Sequence, residues 1–211
     1  MWDHPDRVRW PTDRTKTETI LVWHIATTLF HHTKRPSQEN NDALKERWVA
    51  LDLSNYCFRL LKRFPELLPE EVEWTEKMYE SLREEIYGID RSSGQKSTAA
   101  VDRCDYAMKD NVIWDENSLV GKGAMLAKLL VFYADNGRQV WAMLTEFWAE
   151  MLLFIAPSDN VEGHKEVLEK GELITQVWAL LTHAGILTRP KSTEHLNHEN
   201  ESNEVTEDLI V

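Results

Sequence analysis

The sequence predicts an all-α fold, an irregular bundle of six or seven helices with a disordered acidic tail. Apolar residues recur at helical spacing between turn signals, strand-like alternation is missing, and nine tryptophans with 42% apolar residues in 211 provide for one sizeable core. The expected divisions are an irregular lead-in over 1–16, a helical domain over 17–187 and a tail over 188–211.

Met1 to Lys16 carry Pro5, Pro11 and alternating charges without a period. From Thr17 onward, Ile20 to Phe30 is apolar on almost every side, which predicts a buried helix of about three turns before Pro36. Asn41-Asp42 is an N-cap pair, and Leu44, Trp48, Leu51, Tyr56, Phe58 and Leu61 follow at helical spacing up to Pro65. Pro69 suits the first position of a further helix. Glu70, Glu71 and Glu73 stand where its dipole favours negative charge, Val72, Met78 and Leu82 supply an apolar side, and Gly88 marks its end.

Asp90 to Ala100 is polar and aperiodic and reads as an exposed loop. Two strongly apolar helices come next, one from about Ser118 through Leu126, Leu129, Leu130 and Phe132, the other from Gln139 through Trp141, Leu144, Trp148, Leu152 and Ile155, with Asn136-Gly137 between them. A short amphipathic piece from Asp159 to Lys170 leads to Gly171, and Leu173 to Ile186 forms the last helix, with Gly185 near its end. Lys191 to Val211 holds six acidic residues and one basic one and no aromatic, too little to bury, though Leu209-Ile210-Val211 offers one apolar anchor.

Thirty-six acidic against 24 basic residues leave a net charge of −12, which disfavours nucleic acid and anionic membrane surfaces as partners. Cys57 and Cys104 are too few for a disulfide framework and form no zinc motif, so a reducing, cytoplasmic setting is expected. The N-terminus lacks the apolar stretch of a secretory signal. The longest apolar run, Val140 to Ala156, is broken by Glu146 and Glu150 and is shorter than the ~20 residues that span a bilayer, so no transmembrane segment is expected.

Several segments in order resemble one known family. They are Ile20-Leu21-Val22-Trp23-His24-Ile25-Ala26-Thr27; Leu53-Ser54-Asn55-Tyr56 ahead of Pro65 and Leu67-Leu68-Pro69; Trp148-Ala149-Glu150-Met151-Leu152; and Gly171-Glu172-Leu173-Ile174-Thr175 with Trp178 and His183. Together they resemble the plant proteins that carry domain of unknown function 594, usually preceded by domain of unknown function 4220, over roughly Thr19 to Leu187. In that family a preceding portion carries membrane-spanning helices, so the resemblance implies a C-terminal fragment or a shortened member of a membrane-associated family. Thr28, Phe30 and Lys170 depart from the residues the family often has there. No reaction is attached to the family.

Candidate chemistry is sparse. His24 and His31 lie seven residues apart on nearly one helix face with His32 beside them, but metal ligation needs a further donor such as Glu172 or His183, and no ExxH spacing supports it. A buried histidine bonded to a neighbouring helix is the more ordinary reading. Glu146 and Glu150, one turn apart, either act as a carboxylate pair or meet a basic partner or water, and the latter is favoured. Gly94-Gln95-Lys96-Ser97 and Gly121-Lys122-Gly123 fall short of a phosphate loop. Cys57 lies in a helical pattern suited to an inert core thiol, and Trp23, Trp141, Trp148 and Trp178 suit packing.

Two functions compete. The favoured one is a non-enzymatic helical module that binds a protein partner or a membrane-bound relative, with no cofactor or metal and His24, Glu172 and His183 as structural polar residues. The other is a metal-dependent or acid-base enzyme whose site assembles from His24, Glu172 and His183.

Overall fold

A computed structural model describes residues 15–34, 41–92, 108, 115, 117–135, 139–168 and 170–189. These form seven α-helices and one 3-10 turn, with no strand among them: α1 Lys16–Thr33, α2 Asn41–Arg63, the turn Pro65–Leu67, α3 Val72–Ser92, α4 Leu119–Asp135, α5 Val140–Ile155, α6 Val161–Leu168 and α7 Leu173–His183. The fold is all-α. Most of the lead-in, the stretch beyond Ser92 and the acidic tail lie outside the described residues.

The most extensive packings are α1 on α4 and α2 on α5, with α1 also against α2. Lys122 pairs with Glu18 near the start of α1 and α4, and Lys34 pairs with Asp135 near their ends, so these two helices run in the same direction. Arg47 at the start of α2 reaches His31 at the end of α1, so α2 runs against α1. Aromatic contacts close the centre: Trp23 stacks on Phe147 at 4.2 Å, Phe30 meets Trp141 at 4.7 Å, and the Trp148 indole donates to the Thr27 hydroxyl at 3.2 Å.

Two carboxylates at the α3 end of the fold serve the N-termini of other helices. The Glu70 carboxylate accepts from the Lys16 amide and the Thr17 hydroxyl of α1. Glu85 accepts from the Leu119 and Val120 amides at 3.0 and 2.9 Å and from the Ser118 hydroxyl at 2.7 Å. Amides that would otherwise lack partners at the start of α1 and α4 are thus satisfied across the fold.

Several boundaries and faces differ from the sequence reading. The third helix begins at Val72 instead of Pro69 and continues through Gly88 to Ser92, three residues into the stretch read as loop. Pro65 opens the 3-10 turn. Trp48, read as a core position, is 60% exposed, because α2 buries Arg47, Ala50, Ser54, Cys57, Leu60 and Leu61, a stripe offset by one position. On α4 the inner face is Gly121, Gly123, Ala124, Ala127 and Leu130, whereas Leu129 and Phe132 point outward.

Candidate functional site

His24 sits midway along α1, where its Nδ1 meets the Ser54 hydroxyl of α2 at 3.0 Å and its ring stacks on Phe58 at 4.3 Å. Burial holds its imidazole well below the usual range, at about 4. Glu172 precedes α7 and accepts from Arg59 at 3.0 Å. Beside it, the Tyr56 hydroxyl accepts from the Ile174 amide at 2.8 Å, and burial, with Glu172 contributing, pushes that phenol up to about 12. His183 lies in the exposed last turn of α7.

The structure therefore gives His24, Glu172 and His183 separate surroundings. No hydrogen bond, ion pair or ring contact joins any two of them, and no group of three or more His, Cys, Asp or Glu side chains among the described residues is placed to hold a metal ion. His24 and Glu172 each bond to α2, whereas His183, read as a polar core residue, is exposed because its turn projects past the packed part of α7.

The other candidates resolve in the same way. His31 accepts from Arg47 Nε at 3.0 Å through its Nδ1, and Arg47 also donates to the His31 carbonyl at 3.2 Å, so this histidine orients a buried guanidinium that lies over Trp141. Glu146 and Glu150 are both exposed. Cys57 is wholly buried, and its thiol is pushed up to about 12, the opposite of what a nucleophile needs. Lys122 is bonded to Glu18 at 2.8 Å.

His24 gives a pH prediction. Its folded value near 4 lies below the 6.5 of an unfolded chain, so between these values the unfolded state holds a proton that the folded state does not. Its neutral ring therefore costs nothing above pH 6.5, and stability falls as pH drops from 6.5 to 4. The loss is on the order of 2–3 kcal/mol. In His24→Leu that contribution vanishes, so the stability gap between wild type and variant should narrow toward pH 4 in urea titrations; a gap independent of pH would refute it.

What the sequence reading missed is an apolar surface. Met125, Leu129 and Phe132 follow one another at i, i+4 and i+7 on α4 and are 65%, 40% and 61% exposed, with Leu126 and Tyr133 partly exposed beside them. The inner face presents glycine and alanine to α1, and Gly123 comes so close that a Cβ there would lie 2.5 Å from Ile25 Cγ2. Close approach on the small side leaves the large side chains outside. Such an arrangement is suited to covering by another apolar surface.

No curated protein and no solved structure matches the chain. Residues 133–186, from the last turn of α4 through α7 and including the Trp148-to-Leu152 and Gly171-to-Thr175 segments, match the family described as a protein of unknown function, DUF594.

Proposed function

We propose that the chain is a non-enzymatic helical interaction module whose docking face is the outer side of α4. The observation that carries this is the inverted helix: glycines and alanines are spent on α1 while Met125, Leu129 and Phe132 face outward. Three large apolar side chains exposed on one helix face are suited to covering by a partner. The partner is an apolar protein surface, such as a helix of a membrane-bound relative met from the cytoplasm. No helix among the described residues is long and apolar enough to cross a membrane, so membrane association in this reading comes through the partner.

The test replaces Met125, Leu129 and Phe132 together with glutamine. Proximity labelling in cells should then lose a defined set of partners while far-UV circular dichroism and thermal midpoint stay near those of the parent, since the changed side chains are exposed. An unchanged partner set would overturn the assignment of this face. Turnover that disappears in His24→Leu or Glu172→Gln would overturn the non-enzymatic reading.

A further inference from the structure

The far corner of the molecule holds a histidine with no hydrogen-bond partner. His164 of α6 is completely buried, and neither Nδ1 nor Nε2 has one; Thr175, buried on the facing α7, has none for its hydroxyl. The His164 ring lies flat on Trp178 of α7, with centroids 4.5 Å apart and planes 8° from parallel. Buried polar groups are almost always satisfied, so a ring with two unpartnered nitrogens is a departure that calls for a reason.

Around it, three side chains tie the corner to backbone carbonyls. Asn160 donates to the Glu66 carbonyl at 3.0 Å, and Trp178 Nε1 donates to the Ser158 carbonyl at 3.0 Å. Arg189 straps the end of the described chain across the corner, donating through Nη2 to the Leu67 and Ile155 carbonyls at 2.9 and 3.1 Å. None of these bonds involves a carboxylate that acid would neutralise.

We propose that His164 is an acid-sensitive latch: a proton on its ring releases α6, α7 and the Arg189 strap from the ends of α5 and the 3-10 turn, while α1, α2, α4 and α5 stay packed.

Protonation turns the ring into a cation with two buried donors and no acceptor, in a setting where desolvating a charge is costly. Arg189 is the charge that faces it. Burial first, then Arg189, hold the imidazole down to about 4. Asp159 and Glu70 act on Arg189. On α6, Glu162 pairs with Lys165 at the surface and Glu166 is exposed. On α7, Glu172 is engaged by Arg59, and His183 lies in the exposed last turn. In the 3-10 turn, Glu66 offers its backbone carbonyl to Asn160. The indole face of Trp178 attracts a cation weakly, by about 0.5–2 kcal/mol, less than burying the charge unpaired costs. Opening exposes Val167 and Ile174, both buried in the closed corner.

The test is amide hydrogen exchange on the full chain across pH 7 to 4, with rates corrected for intrinsic pH dependence. Peptides over 157–189 should be less protected than peptides over 119–135 and should lose protection about tenfold per pH unit between 6.5 and 4. Both His164→Leu and His164→Gln, neutral at every pH, should flatten the profile of 157–189; two chemically different replacements guard against one of them failing to fold. Protection of 157–189 that is independent of pH in the parent, equal acid loss over 157–189 in both variants, or protection of 157–189 that stays equal to that of 119–135 down to pH 4 would each overturn the latch.

Discussion

Replacing Gly123 with valine is expected to unseat α4 from α1, lowering stability by roughly 3 kcal/mol or more, with alanine costing about 1–2 kcal/mol. A Cβ at this position would lie 2.5 Å from Ile25 Cγ2, 2.7 Å from Ile25 Cβ and 3.2 Å from the Val22 carbonyl oxygen. A rotamer change moves Cγ2 aside, but Ile25 Cβ and the carbonyl are fixed to the α1 backbone, so the helices themselves must separate. Alanine in place of glycine otherwise favours a helix by up to about 1 kcal/mol, which sets the sign of the control. Gly88 is helical too, and a Cβ there meets nothing within 4 Å. Gly88→Ala should raise the urea midpoint while Gly123→Ala lowers it. If both substitutions raised it, the close contact between α1 and α4 would not be the constraint described here.

That contact also marks where the sequence was legible and where it was not. Helical periodicity located every described helix, because burial against a neighbour selects residues three and four apart whatever the neighbour is. Choosing the buried face of α4 is a different matter: apolar residues lie on both of its sides, and the spacing points to the larger side chains as the inner ones. Close approach reversed this. On α2 the stripe was displaced by one position because Arg47, only 3% exposed, takes a place in the core where its guanidinium meets His31 and lies over Trp141. Charge argues against such a place in any sequence reading.

The carboxylates illustrate the limit of local reasoning. Glu70 was read as favouring the dipole of its own helix, and it instead caps α1, more than fifty residues back in the chain. Glu85 caps α4 in the same manner. Pairings of this kind depend on which helix ends come together, information that no i, i+3 or i, i+4 pattern contains. The surroundings of His164 are hidden for a related reason, since its short amphipathic segment gives no sign that Trp178 and Arg189 will enclose it.

Trp148→Ala should cost about 3–5 kcal/mol, a large fraction of the total for a single domain. The Trp148 side chain is wholly buried on α5, touches Phe147 edge-on at 5.0 Å and donates to Thr27 at 3.2 Å. Its loss would leave a cavity at the crossing of α1 and α5 and deprive the Thr27 hydroxyl of its donor. Trp148→Phe separates these two effects: it keeps most of the volume, loses the indole N–H, and should cost about 1–2 kcal/mol. Thr27→Val combined with Trp148→Phe removes both partners, so its total cost should fall below the sum of the two single losses. Additive losses in that cycle would mean the bond contributes nothing, and a Trp148→Ala loss below about 1 kcal/mol would mean α5 can settle into the gap.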